Sequence, residues 1–218
     1  MGSRRFRDRA EAGASLADEL TARGESAPGG VVVGLPRGGV VVAAAVAASL
    51  GLPLDVVVVR KVGAPQQPEL GIGAVAEGGV EVVAAQRARD CGVDGERFAQ
   101  LAAAERARVE ERVSLYRDGR PRVALAGRDV IVVDDGFATG VTAQAALEAV
   151  RRERPARVVL AVPVAPADVA TIVGAAADAV VSVLTPSTFR AVGEFYDRFD
   201  QTTDAEVIAL LHSHDSPF

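Results

Sequence analysis

The sequence predicts an α/β protein built on a single doubly wound, mainly parallel sheet of about five strands. Two patterns point to this fold class. Apolar runs rich in valine, such as "VVVGL", lack the alternation of apolar and polar residues, which is typical of strands buried on both faces. Helical patterns separate several of these runs, and alternating strands and helices form parallel sheets. The 218 residues are enough for one domain with a full core.

Each predicted element is bounded by residues that break regular structure. The first helical pattern ends before the "PGG" stretch, and Gly51 and Pro53 stop the helix between the first two strands. The predicted order is helix 9–23, strand 31–35, helix 40–50, strand 54–60, strand 130–134, helix 141–152, strand 157–162, helix 167–176 and strand 179–184.

Residues 61–125 interrupt this alternation and are predicted to be an insertion. Residues 61–86 are rich in Gly and Pro and contain two short β-like stretches, "IGAVAE" and "VEVV", which indicates a flap. Residues 96–117 have the pattern of a long, charged amphipathic helix. Residues 185–200 follow the last strand and are a candidate C-terminal hood. The whole chain, 1–218, is therefore predicted to be one domain.

The composition excludes several classes of partner. A formal charge of −5 argues against nucleic acid or anionic membrane, and the locally basic "RRFRDR" at the N-terminus is predicted to be a solvated helix start. The single cysteine, Cys91, fits a reducing compartment. No apolar run approaches the roughly 20 residues that span a bilayer, and no signal peptide is recognisable. We expect a cytoplasmic protein; its oligomeric state stays open, a homodimer included.

The stretch "VIVVDDGFATGVT" (130–142) carries the strongest chemical signal. It sets Asp134 and Asp135 at the carboxyl end of a buried strand, where ligands bind in open parallel sheets. The small-residue turn that follows leads into a helix, so its backbone N–H groups can cradle a phosphate, with Thr139 and Thr142 as added donors. Paired aspartates alone are common as helix caps and turn formers. The complete pattern instead predicts a site for a sugar phosphate that also brings hydroxyls and Mg²⁺.

At this motif the sequence resembles the type I phosphoribosyltransferases, and "DDGFATGVT" is most similar to the loop of the adenine phosphoribosyltransferases. The resemblance implies that Asp134 and Asp135 hold the ribose 2- and 3-hydroxyls of 5-phosphoribosyl 1-pyrophosphate (PRPP). It also implies a loop that binds the 5-phosphate, made of Gly136, Phe137, Ala138, Thr139, Gly140, Val141 and Thr142.

Two further stretches are similar to this family. "GLPRGG" (34–39) offers a second anion cradle and looks like the family's pyrophosphate loop, in which a strained or cis peptide is frequent. Arg37 adds charge there, and Gly38 and Gly39 permit close backbone approach. "VVVVRKVGAP" (56–65) is predicted to end a strand with Arg60 and Lys61, similar to the pair that adenine phosphoribosyltransferases present to pyrophosphate. Taken alone, these two charges could equally be solvated. The following flap takes the place of the family's mobile catalytic loop.

The acceptor end resembles another branch of the family. "TFRAVGEFYDRFD" (188–200) is similar to the tail of hypoxanthine phosphoribosyltransferases. That likeness implies that Phe189, or Phe195, stacks on a planar base and that Asp197 contacts Mg²⁺. The chain departs from the pattern by one extra residue between Phe189 and the glycine. It also has Ala138 where hypoxanthine enzymes have a carboxylate.

The implied activity is Mg²⁺-dependent transfer of the 5-phosphoribosyl group from PRPP to a nitrogenous base, with release of pyrophosphate. The expected partners are PRPP and a small heterocyclic base, with Mg²⁺ carried mainly by PRPP. The expected catalytic residues are Asp134, Asp135, Arg37, Arg60 and Lys61. Because a fold hosts functions that only its site decides, a regulator that binds PRPP or a nucleotide without turnover is the alternative.

Overall fold

A computed structural model of the chain describes residues 5–26, 28–137 and 140–214. Its strands are β1 (Val31–Gly34), β2 (Leu54–Val56), β3 (Val59–Ala64), β4 (Gln67–Ala76), β5 (Val80–Val83), β6 (Asp129–Val133), β7 (Arg157–Val164) and β8 (Ala179–Leu184). Its α-helices are α1 (Arg9–Ala22), α2 (Gly38–Leu50), α3 (Ala85–Asp90), α4 (Gly95–Arg117), α5 (Val141–Arg152), α6 (Val169–Val173) and α7 (Asp204–Ser213).

The core is a five-stranded parallel sheet in the order β2-β1-β6-β7-β8, which confirms the predicted fold class. Four of its strands, β2, β1, β6 and β7, are buried on both faces because alternate apolar side chains point to opposite sides, whereas the edge strand β8 is only partly buried. Val32 of β1 packs with α1, α2 and α7, whereas Val31 and Val33 pack with α5 and α6. This two-sided burial is the physical reason for the continuous apolar runs. No helix in the described parts of the chain is both long and apolar enough to cross a membrane.

The predicted strand 54–60 is wrong as a single element. β2 ends at Val56, and β3 begins at Val59 in a second sheet, which is antiparallel and ordered β3-β4-β5. The two valines between these strands connect the sheets: Val57 N donates to the Gly34 carbonyl at 3.2 Å, and the Val58 carbonyl accepts from Glu77 N at 2.9 Å. Arg60 therefore lies inside a strand of the small sheet and does not end a strand of the large one.

The insertion, predicted to be a flap and a helix, forms a β-ribbon and a helix. "IGAVAE" falls mainly in β4 and "VEVV" forms β5, while α4 matches the helix predicted for 96–117. Most of the ribbon is packed: Ile72, Ala74 and Val75 are buried, and a Cβ on Gly73 would lie 2.5 Å from Phe98 of α4. Its longest exposed stretch is the hairpin tip at 65–69.

The C-terminal end of α4 is fixed by a buried ion network. Arg117 donates to both carboxylate oxygens of Asp55 at 3.1 Å and to Glu77 at 2.9 Å. It also donates to the Val56 carbonyl at 3.1 Å. Because Asp55 lies in β2 and Glu77 follows β4, Arg117 ties the helix to both sheets.

Two regions near the C-terminus differ from the predicted pattern. The helix predicted for 167–176 is the short α6 followed by a 3₁₀ turn at 174–176. The predicted hood contains one 3₁₀ turn, Val192–Phe195, and α7 follows it.

Candidate functional site

The candidate site lies at the switch point of the large sheet. From β1 the chain crosses to β2 on one side, and from β6 it crosses to β7 on the other. The carboxyl ends of β1 and β6 are adjacent, and Leu35 N donates to the Val133 carbonyl at 2.9 Å. Ligands of doubly wound folds bind in the crevice that opens at such a point. The residues after these two strands are those of the two predicted anion loops.

The acidic pair, Asp134 and Asp135, lies at this crevice, directly after β6. Asp135 N donates to Asp134 Oδ1 at 2.8 Å. Burial and the charge of Asp135 raise the pKa of the Asp134 carboxyl well above its ordinary value. Burial also raises the pKa of Asp135, and the Arg9 guanidinium beside it opposes that rise. Two adjacent carboxylates in a site that disfavours their ionisation attract hydroxyl donors and cationic groups.

Gly38 and Gly39 of the 34–39 loop pack directly against the acidic pair. A Cβ on Gly38 would lie 2.0 Å from Asp135 Oδ2, and a Cβ on Gly39 would lie 2.8 Å from Asp134 Oδ1. Any larger residue would displace the carboxylates. The sequence predicted close approach of a ligand at these glycines. In the structure they allow the acids to approach the loop.

Arg9 is one residue of this site that sequence reasoning missed. Its Nε and Nη2 lie 2.8 Å from Asp135 Oδ2, and its side chain is 11% exposed. The predicted solvated helix start is therefore wrong for Arg9, although Arg7 beside it is exposed. No local pattern distinguishes these two arginines, because the partner of Arg9 lies 126 residues away in the sequence.

The predicted phosphate turn leads into α5 as expected, although Ala138 and Thr139 lie outside the described residues. Gly140 precedes the helix with φ 80°, a left-handed conformation that favours glycine. A cavity of about 140 Å³ opens beside the turn. It is lined by Asp134, Gly136, Phe137, Gly140, Thr142, Ala143, Leu160 and Val162. The cavity joins Asp134 to the start of α5 and so places a carboxylate next to a helix N-terminus.

Three arginines line a second cavity, of about 170 Å³, which we call the arginine pocket. Its lining is Pro36, Arg37, Val58, Val59, Arg60, Arg112 and Tyr116. The peptide bond between Pro36 and Arg37 is cis, as the resemblance suggested for this loop. Arg112 and Tyr116 come from α4, a helix to which the sequence assigned no role. Three guanidinium groups from three chain segments form a site suited to a polyanion.

Carboxylates balance the arginines of this pocket. Glu105 pairs with Arg60 at 2.5 Å, and Asp204 accepts from Arg112 and, at 2.7 Å, from the Tyr116 hydroxyl. Burial raises the pKa of Tyr116 to about 12, so this hydroxyl remains a donor. The Tyr116 hydrogen bond and Arg112 lower the pKa of Asp204. A bound polyanion would compete with these carboxylates for the same arginines.

Lys61 does not lie with Arg60. Consecutive residues of a strand point to opposite faces, and Lys61 Nζ contacts the Glu69 carbonyl at 2.8 Å and its carboxylate at 3.2 Å. Arg60 faces the arginine pocket, whereas Lys61 faces the hairpin tip. The assignment of Lys61 to catalysis stays a prediction.

The predicted hood residues form an aromatic cluster beside a separate cavity. Phe189 stacks on Phe195 with ring centroids 5.6 Å apart, and Phe195 is buried. Phe195 also lines a cavity of about 320 Å³, together with Pro186, Ser187, Thr188, Arg190 and Glu194. Asp197 lies on the surface, 60% exposed and 3.5 Å from Arg5. These contacts place the two phenylalanines together and leave Asp197 outside every cavity described above.

The donor set determines how Mg²⁺ could be held here. Within residues 5–26, 28–137 and 140–214, no group of three or more His, Cys, Asp or Glu side chains could hold a metal ion. Mg²⁺ commonly binds through few protein groups together with substrate phosphates. An acidic pair together with the arginine pocket fits an ion that arrives with a phosphorylated ligand.

Comparison with known proteins identifies the family. Residues 8–180 match the sequence profile described as "Phosphoribosyl transferase domain". Two curated Mycobacterium tuberculosis proteins, each named "Putative phosphoribosyl transferase", are 45% identical to this chain over 206 residues. The match covers 94% of this chain and 46% of each relative, so the chain spans about half the length of these relatives.

A solved structure supports the fold. The crystal structure of TT1426 from Thermus thermophilus shares 47% sequence identity and a TM-score of 0.81, covering 97% of this chain and 100% of that one. The profile match, which includes both loops of the switch-point crevice, decides the assignment. The chain belongs to the type I phosphoribosyltransferase family.

Proposed function

We propose that this chain catalyses Mg²⁺-dependent transfer of the 5-phosphoribosyl group from PRPP to a nitrogenous base, with release of pyrophosphate. One observation carries the proposal: the acidic pair fits closely against Gly38 and Gly39. Asp134 also lines the cavity at the phosphate turn, and Arg37, next to Gly38, lines the arginine pocket. PRPP has hydroxyls between a phosphate and a pyrophosphate, and this arrangement matches that order of groups. The product would be a nucleoside 5′-monophosphate, a compound of nucleotide metabolism.

The residues divide the work according to their positions. Asp134 and Asp135 hold the ribose hydroxyls, and the turn that begins at Gly136 binds the 5-phosphate. Arg37, Arg60 and Arg112 neutralise the negative charge that develops on the departing pyrophosphate. Mg²⁺ that arrives with PRPP would supply further neutralisation of the leaving group.

The transferred ribosyl group would be attacked with inversion through an oxocarbenium-like transition state. Catalysis then depends mainly on positioning and charge stabilisation, which preformed loops supply. Under this proposal the exposed hairpin tip at 65–69 would cover the site. Excluding water from the ribosyl cation prevents hydrolysis to ribose 5-phosphate.

A panel experiment tests this function. PRPP consumption is measured with Mg²⁺ against purines, pyrimidines and other heterocycles, with pyrophosphate and nucleotide quantified separately. The proposal expects pyrophosphate release that depends on one class of acceptor and matches the nucleotide formed. Binding of PRPP without turnover by any acceptor would contradict the enzymatic proposal.

A second candidate is a regulator that binds PRPP or a nucleotide without turnover. The ion pairs that charged residues of the site form within the chain favour it. Asp135 pairs with Arg9, Lys61 with Glu69, and Arg60 with Glu105. Under this alternative, ligand binding would rearrange these ion pairs without chemistry. Tight PRPP binding together with an inactive acceptor panel would favour the regulator.

A further inference from the structure

Arg9 connects three parts of the chain at the acidic pair. Besides its two contacts with Asp135 Oδ2, it donates through Nη1 to the Asp200 carbonyl at 2.7 Å. Its guanidinium lies over the Phe199 ring, with Cζ 3.9 Å from the ring centroid. Arginine is rarely buried without such partners. Arg9 is therefore held firmly between α1, the end of β6 and the segment 196–200.

Both contacts between Arg9 and the Asp135 carboxylate reach the same oxygen. Nε and Nη2 approach Oδ2 at 2.8 Å each. In the part of the chain that the structure describes, no other residue donates a hydrogen bond to Asp135 Oδ1. A bidentate pair would engage both carboxylate oxygens. This geometry fixes the carboxylate and leaves one oxygen available to accept from a hydroxyl.

The segment that holds Arg9 also holds the main chain of Asp135. The Tyr196 hydroxyl donates to the Asp135 carbonyl at 2.6 Å, and the Tyr196 and Phe199 rings lie 4.9 Å apart. We call Arg9, Tyr196 and Phe199 the Asp135 clamp. Its members fix both the side chain and the backbone of one acid. None of the three clamp residues lies in either of the two anion loops.

We propose that Arg9 is a positioning residue for PRPP: through the Asp135 clamp it orients the Asp135 carboxylate so that Oδ1 is free to accept from a ribose hydroxyl. The inference rests on the proposed function, because it concerns the same acid. It gives α1 and the segment 196–200 a part in PRPP binding, although neither contains a phosphate loop.

The electrostatic surroundings support this role independently of the geometry. The described titratable groups that interact with the Asp135 carboxylate are Asp134, Arg9 and Tyr196. Among them only Arg9 is a cation, and its charge opposes the rise in the pKa of Asp135 caused by burial. Removing that charge should make the bound state more sensitive to acid.

The test is titration calorimetry of the full chain with PRPP and Mg²⁺ at pH 6 and pH 8. We expect Arg9→Gln to raise the Kd of PRPP about tenfold or more at pH 6 and less at pH 8, relative to the unmodified chain at each pH. Arg9→Lys keeps the charge and should recover most of the affinity at pH 6. A purely structural role for Arg9 would give no such dependence on pH.

Arg7→Gln is the matched control, since Arg7 lies two residues earlier, is 66% exposed and pairs with Asp8. Its Kd should equal that of the unmodified chain. A folded Arg9→Gln protein with unchanged Kd at both pH values would overturn the inference. Failure of the unmodified chain to bind PRPP would overturn the proposed function itself.

Phe199→Leu carries the test if Arg9→Gln does not fold. Phe199 is 38% exposed, so its replacement should cost little stability, and its ring contacts the Arg9 guanidinium. Loss of a cation–π contact at such a site corresponds to a rise in Kd of about threefold. An unchanged Kd in this variant would count against the clamp.

Discussion

Gly38 and Gly95 occupy equivalent positions, each as the first residue of a helix, but their surroundings are opposite. A Cβ on Gly38 would collide with the Asp135 carboxylate and lie 2.7 Å from Arg9 Nε, whereas a Cβ on Gly95 would meet nothing within 4 Å. The sequence alone shows two glycines near helix starts. The difference between them arises from strands that are far apart in sequence.

This contrast gives a prediction at the residue scale. Gly38→Ala should weaken PRPP binding by at least about tenfold in calorimetry, because the added methyl group displaces the acid that holds the ribose. Gly95→Ala, the matched control, should leave PRPP affinity unchanged and stabilise the fold by up to about 1 kcal/mol. Equal PRPP affinities for the two variants would show that Asp135 is not a ligand contact.

Arg60 and Lys61 give a second residue-scale prediction, since only Arg60 lines the arginine pocket. Arg60→Gln should lower kcat by about 10- to 100-fold with a smaller change in KM for PRPP, because the interaction strengthens as charge develops on pyrophosphate. Lys61→Gln should have the weaker effect on kcat, as its amine contacts Glu69. Steady-state kinetics of both variants decide the order, and equal losses would contradict it.

Phe189 provides the test of the acceptor side. Phe189→Ala should impair use of the acceptor by roughly 1–3 kcal/mol, the range for stacking of an aromatic side chain on a base, and should leave the Kd of PRPP nearly unchanged. Phe189→Leu keeps apolar bulk without a planar ring and should show most of the same loss. Acceptor use equal to that of the unmodified chain in both variants would exclude Phe189 as the platform.

At the scale of elements, the parallel strands were predictable because burial on both faces leaves a continuous apolar run. The division of 54–60 between β2 and β3 was not predictable for the same reason. Val57 and Val58 are buried like their neighbours, and no glycine or proline marks the change of sheet. The role of α4 was not predictable either. Its charged face contains exposed arginines as well as Arg112, and the sequence does not distinguish Arg112, which lines the arginine pocket, from the others.

The ion network of Arg117 makes a prediction about how α4 is anchored. Arg117→Met should lower the free energy of unfolding by about 3–5 kcal/mol, because it removes the guanidinium that contacts the buried carboxylates of both Asp55 and Glu77. Arg97→Met, an exposed position on the same helix, should change it by less than about 0.5 kcal/mol. Denaturant unfolding measures both, and similar values for the two variants would mean that the network does not stabilise the fold.

At the scale of the whole molecule, the switch point explains why residues from distant segments meet. The connections of β1 and β6 leave in opposite directions, so the loops after these strands open a crevice between them. Sequence motifs identified both loops because glycines and paired acids are local signals. Arg9, Arg112 and the Asp135 clamp could not be identified in this way, because tertiary packing alone brings them to the crevice.

The central claim is that the acidic pair in this crevice binds PRPP, and titration calorimetry with PRPP in the presence of Mg²⁺ tests it most directly. Asp135→Asn should weaken binding by about 1–3 kcal/mol while the protein stays folded, because an amide replaces the charge that accepts from the ribose hydroxyl. Asp118→Asn, at an exposed aspartate after α4, should bind like the unmodified chain. No binding by the unmodified chain, or equal affinity in Asp135→Asn, would contradict the claim.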